Sequence, residues 1–380
     1  MGNTDVGVNK PLSGVRVVEL AGMGSVPFAG MMLADLGADI VQVDRPATTT
    51  ATSLTDLASP EPSQDFMNRG RRCVALNLQA PPERHAFVDL ASCADVLIEG
   101  FRPGTMERLA VGPKVLLDKN PRLVFARVSG YGQSGPFSDR AGHDINYLAM
   151  SGALAALAKS DTSPSPPLNL VADYGGGGMG AVVGILARLI HARVSGSGGI
   201  VDVSMTDATA FLTSRLHSYR VAPRWPRSAK SDFPLLNGDA PYYTTYRCSD
   251  DRFLAVGAIE DKFYARFVSG LGLELSLLPS RDDMDQWSSL TQVFAAIIGS
   301  HDRAFWVDRF ADTDACVTPV LELDEVSAHA LHTSRGAFVV GEQTTYPAPP
   351  VRFSTTDVPL AAGAACQVDV EQVLAEWQAS

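Results

Sequence analysis

One histidine and one aspartate have the setting of a proton-transfer pair. His143 lies in Ala141-Gly142-His143-Asp144-Ile145-Asn146-Tyr147, after the glycine-rich turn 130–135 and before an apolar run. Asp173 follows Pro167-Leu168-Asn169-Leu170-Val171-Ala172 and precedes Tyr174 and four glycines, Gly175 to Gly178. Two such groups on opposite sides of one carbon can take a proton from one face and return one to the other. Imidazole titrates near neutral pH. A carboxylate does not, so Asp173 needs a second acid nearby to raise its pKa. Of seven histidines, His85 and His191 fall in helical patterns, and His217, His301, His329 and His332 lack a polar turn. Asp144 is expected to cap a helix over 145–157, whose unpaired N–H groups would receive negative charge building on an oxygen. Asp173 has the position of an N-cap as well, a role compatible with proton transfer. Its glycines predict a backbone that a substrate chain can approach closely.

The elements that position these groups alternate. Strand-like runs at 15–20, 39–44, 73–78, 95–99, 123–129 and 200–205 are separated by helical patterns, notably the amphipathic 83–94 and the apolar 178–193. Such alternation predicts a parallel sheet covered on both faces, a Rossmann-like α/β domain over 1–220. The Pro-, Arg- and Ser-rich stretch 221–239 is expected to be a linker. A smaller α+β domain, 240–325, should follow, with a hairpin around Ser249-Asp250-Asp251 and helices near 261–271 and 287–298. The remainder, 326–380, carries a Pro/Ala/Thr-rich strap expected to return to the large domain.

At 380 residues the chain is long enough for two cores. Its net charge of −11 argues against nucleic acid or an anionic membrane as its main partner. Five cysteines without a Cys-x-x-Cys pair, three of them (Cys73, Cys93, Cys316) in apolar surroundings, predict reduced, buried thiols. No stretch approaches the roughly 20 uninterrupted apolar residues of a spanning helix. With no signal peptide at 1–10 and no peroxisomal address at Trp377-Gln378-Ala379-Ser380, the expectation is a cytoplasmic protein.

Arginines recur at strand ends: Arg45 after the second strand, Arg69, Arg71 and Arg72 before the third, Arg102 after the fourth, and Arg108 in the next helix. Strand ends converge on the ligand-binding edge of an open α/β sheet. Guanidinium suits phosphate oxygens and stacks on adenine. A polyanionic ligand fits that edge. Gly22-Met23-Gly24-Ser25-Val26-Pro27 also resembles a dinucleotide fingerprint, with Asp44 about 20 residues on. Pro27 replaces its third glycine, however, and Arg45 contests Asp44.

The segments Gly142 to Tyr147, Pro167 to Leu170 and Asp173 to Gly177 resemble the active-site signatures of the alpha-methylacyl-CoA racemases, a branch of the family III CoA-transferase superfamily. The similarity runs from about Pro11 to Phe353 and includes Val43-Asp44-Arg45-Pro46 and Met106-Glu107-Arg108-Leu109. It implies that His143 and Asp173 are the two acid/base groups of a 2-methylacyl-CoA epimerisation through an enolate. Asp144 and Asn169 would orient the reacting groups. Arg45, Leu76, Asn77, Leu78, Gln79, Arg102, Arg108, Gly142, Ile145, Asn146 and Tyr147 would contact the acyl-CoA, with Gln79 standing where relatives often have lysine. Neither metal nor redox cofactor is implied. The resemblance further implies an interlocked homodimer in which Glu260, by itself only an acid at a helix start, reaches from the partner to pair with the catalytic aspartate. Departures cluster at 224–239.

Two other enzymes compete with this reading. A CoA-transferase would keep Asp173, as a nucleophile on the thioester carbonyl, but would not need His143. An NAD(P)-dependent dehydrogenase would need the N-terminal glycine turn.

Overall fold

A computed structural model describes residues 10–46, 65–159, 163–228, 231–340, 344–354 and 365–379. The chain divides into two compact units. The first comprises 1–151, 167–212 and 330–380; the second comprises 152–166 and 213–329. The second unit therefore begins before the expected linker and also recruits 152–166, whose first part, 152–157, was expected in one continuous helix of the first.

The first unit is built on a seven-stranded sheet in the order β12-β3-β2-β1-β4-β5-β6. Its strands are β1 (Arg16–Leu20), β2 (Asp39–Asp44), β3 (Arg71–Ala75), β4 (Val96–Glu99), β5 (Val124–Ser129), β6 (Gly199–Ser204) and β12 (Cys366–Gln367), all paired in parallel. Strands β4 and β5 are buried at every residue, as a centre covered on both faces requires, whereas β6 alternates as an edge strand does. Val18, Val41, Leu97, Phe125, Phe87 and Leu90 close one core, each apolar side chain contributing about 1.5–3 kcal/mol on burial. The strand order reverses between β1 and β4, which opens a crevice at their carboxyl ends. The chain end returns to this unit: β12 extends the sheet beside β3, and the helix Val370–Ala379 adds Val373 and Trp377 to the core. Part of the expected strap, 355–364, lies outside the described residues.

In the second unit β7 (Tyr243–Arg247), β8 (Phe253–Gly257) and β9 (Val317–Pro319) form an antiparallel sheet. The hairpin turns at the expected residues. Phe267, Phe294 and Ile298 from helices Asp261–Gly270 and Trp287–Ile298 fill its core with Tyr246 and Trp306.

The cysteines are free, but only Cys73 and Cys248 are buried; Cys316 and Cys366 are exposed. Cys316 sits in a positive-φ turn (53°) ahead of β9, which tips its thiol outward despite apolar neighbours in sequence. The helical run Leu170–Ser195 is 26 residues long and, by length and composition, apolar enough to cross a membrane. Its residues Asp173, Arg188, His191 and Arg193 hide that property from a search for uninterrupted apolar stretches.

Candidate active site

The expected helix over 145–157 is two. The helix Asp144–Met150 stops before Gly152, whose φ of 82° breaks it, and Ala153–Leu157 follows. His143, not Asp144, occupies the N-cap: its N–H donates to Asn146 Oδ1 at 3.0 Å, and Asn146 N–H returns a bond to the His143 carbonyl at 2.8 Å. The imidazole is exposed, and the first-turn N–H groups of a helix have no partner within it.

Freed from capping, Asp144 is buried (4% exposed), and its Oδ2 accepts the N–H groups of Ala172 and Asp173 at 2.7 and 2.8 Å. Its Oδ1 is buried with no protein partner among the described residues. The residue beside His143 thus holds the backbone that carries Asp173, 29 positions away. Asp173 is not an N-cap either. It sits inside a π-helical segment, Leu170–Gly178, that runs on into the α-helix Met179–Ser195. Wide π turns insert residues into a helix and often mark functional sites. Leu168, just upstream, has φ 56° and is 75% exposed, so local strain precedes Asn169.

Three of the four glycines serve packing rather than substrate approach. A Cβ on Gly176, Gly177 or Gly178 would meet Thr209, Met205 with Ser25, or Phe28 respectively, at 2.6–3.1 Å. The π segment is thereby pressed between helix Met205–Leu212 and α1 (Ser25–Asp35), and Tyr174 stacks on Phe28 at 4.9 Å.

The glycine turn ahead of α1 is the degenerate match to a dinucleotide fingerprint. Gly24 has φ 70°, and a Cβ there would lie 2.7 Å from Asp173 Oδ2. The turn therefore cradles a carboxylate where a dinucleotide would place its pyrophosphate, and Asp44 Oδ1 accepts the Arg45 N–H at 2.7 Å. This occupancy weighs against a nicotinamide dehydrogenase. Periodicity offered no signal for Gly24 as a site residue, since its contact spans 149 residues.

Burial first, then the charge of Asp144, raises the Asp173 carboxyl above its ordinary range; the Asn169 amide (3.4 Å) and His143 pull it down. One acid that adds to this rise, Asp144, thus lies within the same chain. Tyr147 donates to the Gly142 carbonyl and packs its ring against Gly130 and Gly142, where no Cβ would fit. Burial pushes its phenol up to about 12, with Tyr131 and Asp173 adding to the rise and Arg102 opposing it.

A groove of about 470 Å³ opens at the switch point of the sheet. Arg45, Leu76, Asn77, Leu78 and Gln79, all singled out from the sequence, line it with Leu20, Ala21 and Phe101. Arg102 and Arg108 flank its lining residues Phe101 and Leu109. Arg69, Arg71 and Arg72 do not join them. They bond Asp35, Glu19, and Asp39 with Glu376, respectively, and so hold the fold together. Glu260 belongs to the second unit, exposed at the start of helix Asp261–Gly270.

A doubly wound sheet with a groove at its switch point, together with a histidine turn tied through Asp144 to the Asp173 backbone, is the framework of an α/β enzyme. The profile of CoA-transferase family III matches residues 12–365, and the chain belongs to that family. It is 44% identical over 352 residues to the alpha-methylacyl-CoA racemase of Mus musculus and 42% identical to that of Homo sapiens, covering 92% of this chain and 88% of each relative. A CaiB/BaiF family protein from Brucella suis shares the fold, with a TM-score of 0.81 and 23% identity over 97% of this chain and all of that one.

Proposed function

We propose that the chain is an alpha-methylacyl-CoA racemase, interconverting (R)- and (S)-2-methylacyl-CoA thioesters through an enolate. The observation that supports this is the Asp144 bridge, which ties the Asp173 backbone to the turn that carries His143, beside a carboxyl that burial and then the Asp144 charge raise. In this reading the groove holds the CoA moiety, with Arg45, Arg102 and Arg108 on its phosphates. One of His143 and Asp173 takes the α-proton while the other delivers a proton to the opposite face. The N–H groups at the start of helix Asp144–Met150 receive the enolate oxygen's charge. A carboxyl with a raised pKa is the better acid/base partner near neutrality. The chemistry needs neither metal nor redox cofactor.

The enzyme would act as a cytoplasmic, interlocked homodimer in which the partner's copy of Glu260 faces Asp173. Exposed apolar residues Val183, Ile190, Val194 and Phe211 on the first unit (68–86% exposed) support burial against a second copy. A CoA-transferase would instead attack the thioester carbonyl with Asp173 and would not need His143, whose turn is tied through Asp144 to the Asp173 backbone.

The test is α-proton exchange. Wild-type protein with a single enantiomer of a 2-methylacyl-CoA in deuterated water should give racemic, α-deuterated product. His143→Ala and Asp173→Asn should abolish racemisation while residual exchange retains configuration, one enantiomer for each variant. Acyl transfer to a free carboxylate without α-exchange would establish the transferase instead.

A further inference from the structure

An ionic cluster joins the ends of β4 and β5 to the turn that carries Phe101, its Glu99 and Arg127 buried and its Glu107 about half exposed. Glu99, the last residue of β4, stands in register with Arg127 on β5. Arg127 Nε donates to Glu99 Oε1 at 2.8 Å, and its two other nitrogens form a fork to Glu107, 2.8 Å to Oε1 and 3.3 Å to Oε2. The second oxygen of Glu99 accepts the Phe101 N–H at 2.7 Å. Glu99 is fully buried and Arg127 is 6% exposed.

Such a cluster is a poor way to gain stability. Desolvating these charges offsets most of their attraction, and apolar residues of similar volume stabilise a core as well or better. What the cluster supplies is geometry, and every bond it makes falls on one stretch of chain. Glu99 and Glu107 bracket the turn that carries Phe101 in the groove wall and Arg102 beside it, and Arg108 follows directly. Gly104, at φ 77°, starts the short helix Thr105–Arg108 inside that bracket. Gly100 has no room for a side chain, since a Cβ would lie 2.9 Å from Val26 of α1. The turn is thus fixed to the helix whose cap, Gly24, touches Asp173.

We infer that Arg127, with Glu99 and Glu107, is a positioning clamp for CoA binding: it holds the 100–108 turn so that Phe101, Arg102 and Arg108 meet the ligand preformed. None of the three clamp residues lines the groove. The inference rests on the groove being the CoA site. A preformed loop loses less freedom on binding, so the clamp acts on affinity and leaves the proton-transfer groups alone.

The test compares Arg127→Lys, which keeps the charge but loses the fork, Arg127→Gln, and Glu107→Gln, which alters a half-exposed carboxylate and spares the fold. Free CoA affinity is measured by calorimetry beside Tm, kcat and KM for a 2-methylacyl-CoA. Arg127→Gln and Glu107→Gln should weaken CoA and raise KM roughly tenfold with kcat within about twofold, and Arg127→Lys should fall between Arg127→Gln and wild type. If Arg127→Gln does not fold, the other two variants decide. Lowered Tm with unchanged CoA affinity would make the cluster merely structural and overturn the inference, as would a loss confined to kcat. Wild-type protein that fails to bind CoA removes the underlying reading; wild-type binding with unaffected variants removes only the clamp.

Discussion

Replacing Gly24 by alanine tests how Asp173 is held. At φ 70° and ψ −115° the backbone lies outside the regions open to L-residues, so a side chain there costs about 1–3 kcal/mol. The new Cβ would also stand 2.7 Å from Asp173 Oδ2 and 3.1 Å from its Cγ, so the carboxylate must retreat by several tenths of an ångström. Misplacing a reacting group by an ångström costs on the order of 10²-fold, so kcat should fall roughly 10- to 100-fold. Gly22 is the control: its φ is unexceptional, and a Cβ would meet only the Leu20 carbonyl at 3.9 Å. The assay is α-deuteration of a 2-methylacyl-CoA, followed by NMR, with CoA affinity measured in parallel. Gly24→Ala should slow exchange and bind CoA normally, and Gly22→Ala should match wild type in both. Wild-type exchange in Gly24→Ala would refute the reasoning. A joint loss of CoA affinity in both variants would mean that the turn grips a phosphate after all.

Asp144→Asn should preserve the acceptor for the Ala172 and Asp173 N–H groups while removing a charge that raises the Asp173 pKa. Asp173 then ionises at lower pH, so the acid limb of the rate profile in the direction that uses it as base should move to lower pH; an unmoved limb contradicts the electrostatic link. Arg45→Ala should remove a groove contact worth about 1.5–3 kcal/mol, seen as a raised KM at constant kcat; unchanged affinity for free CoA would make it surface charge. Glu260→Gln should lower activity and leave CoA binding intact. Co-expression of Glu260→Gln with Asp173→Ala chains should restore activity if the site is shared between copies, and verified heterodimers without activity would count against a shared site.

The alternation of strands and helices, the parallel sheet and the small antiparallel unit were legible in the sequence, because periodicity and turn residues report local backbone state. Of the groove, Arg45 was legible as a strand-end arginine, and Leu76 to Gln79 through the family resemblance; they follow β2 and β3, whose ends parallel pairing delivers to one edge. Residue type and turn context singled out His143 and Asp173 as candidates for proton transfer. Tertiary structure decided which partner each polar group takes. Arg69, Arg71 and Arg72 were grouped with Arg45 as strand-end arginines, yet they precede or open β3, at the opposite edge from the carboxyl ends, and bond Asp35, Glu19 and Asp39. Asp144 looked like a cap and instead bonds the Asp173 backbone; Gly24 looked like a nucleotide turn and instead receives the carboxylate. A side-chain hydrogen bond spanning 29 residues, or a contact spanning 149, depends on how packed elements meet, and no local periodicity encodes that meeting.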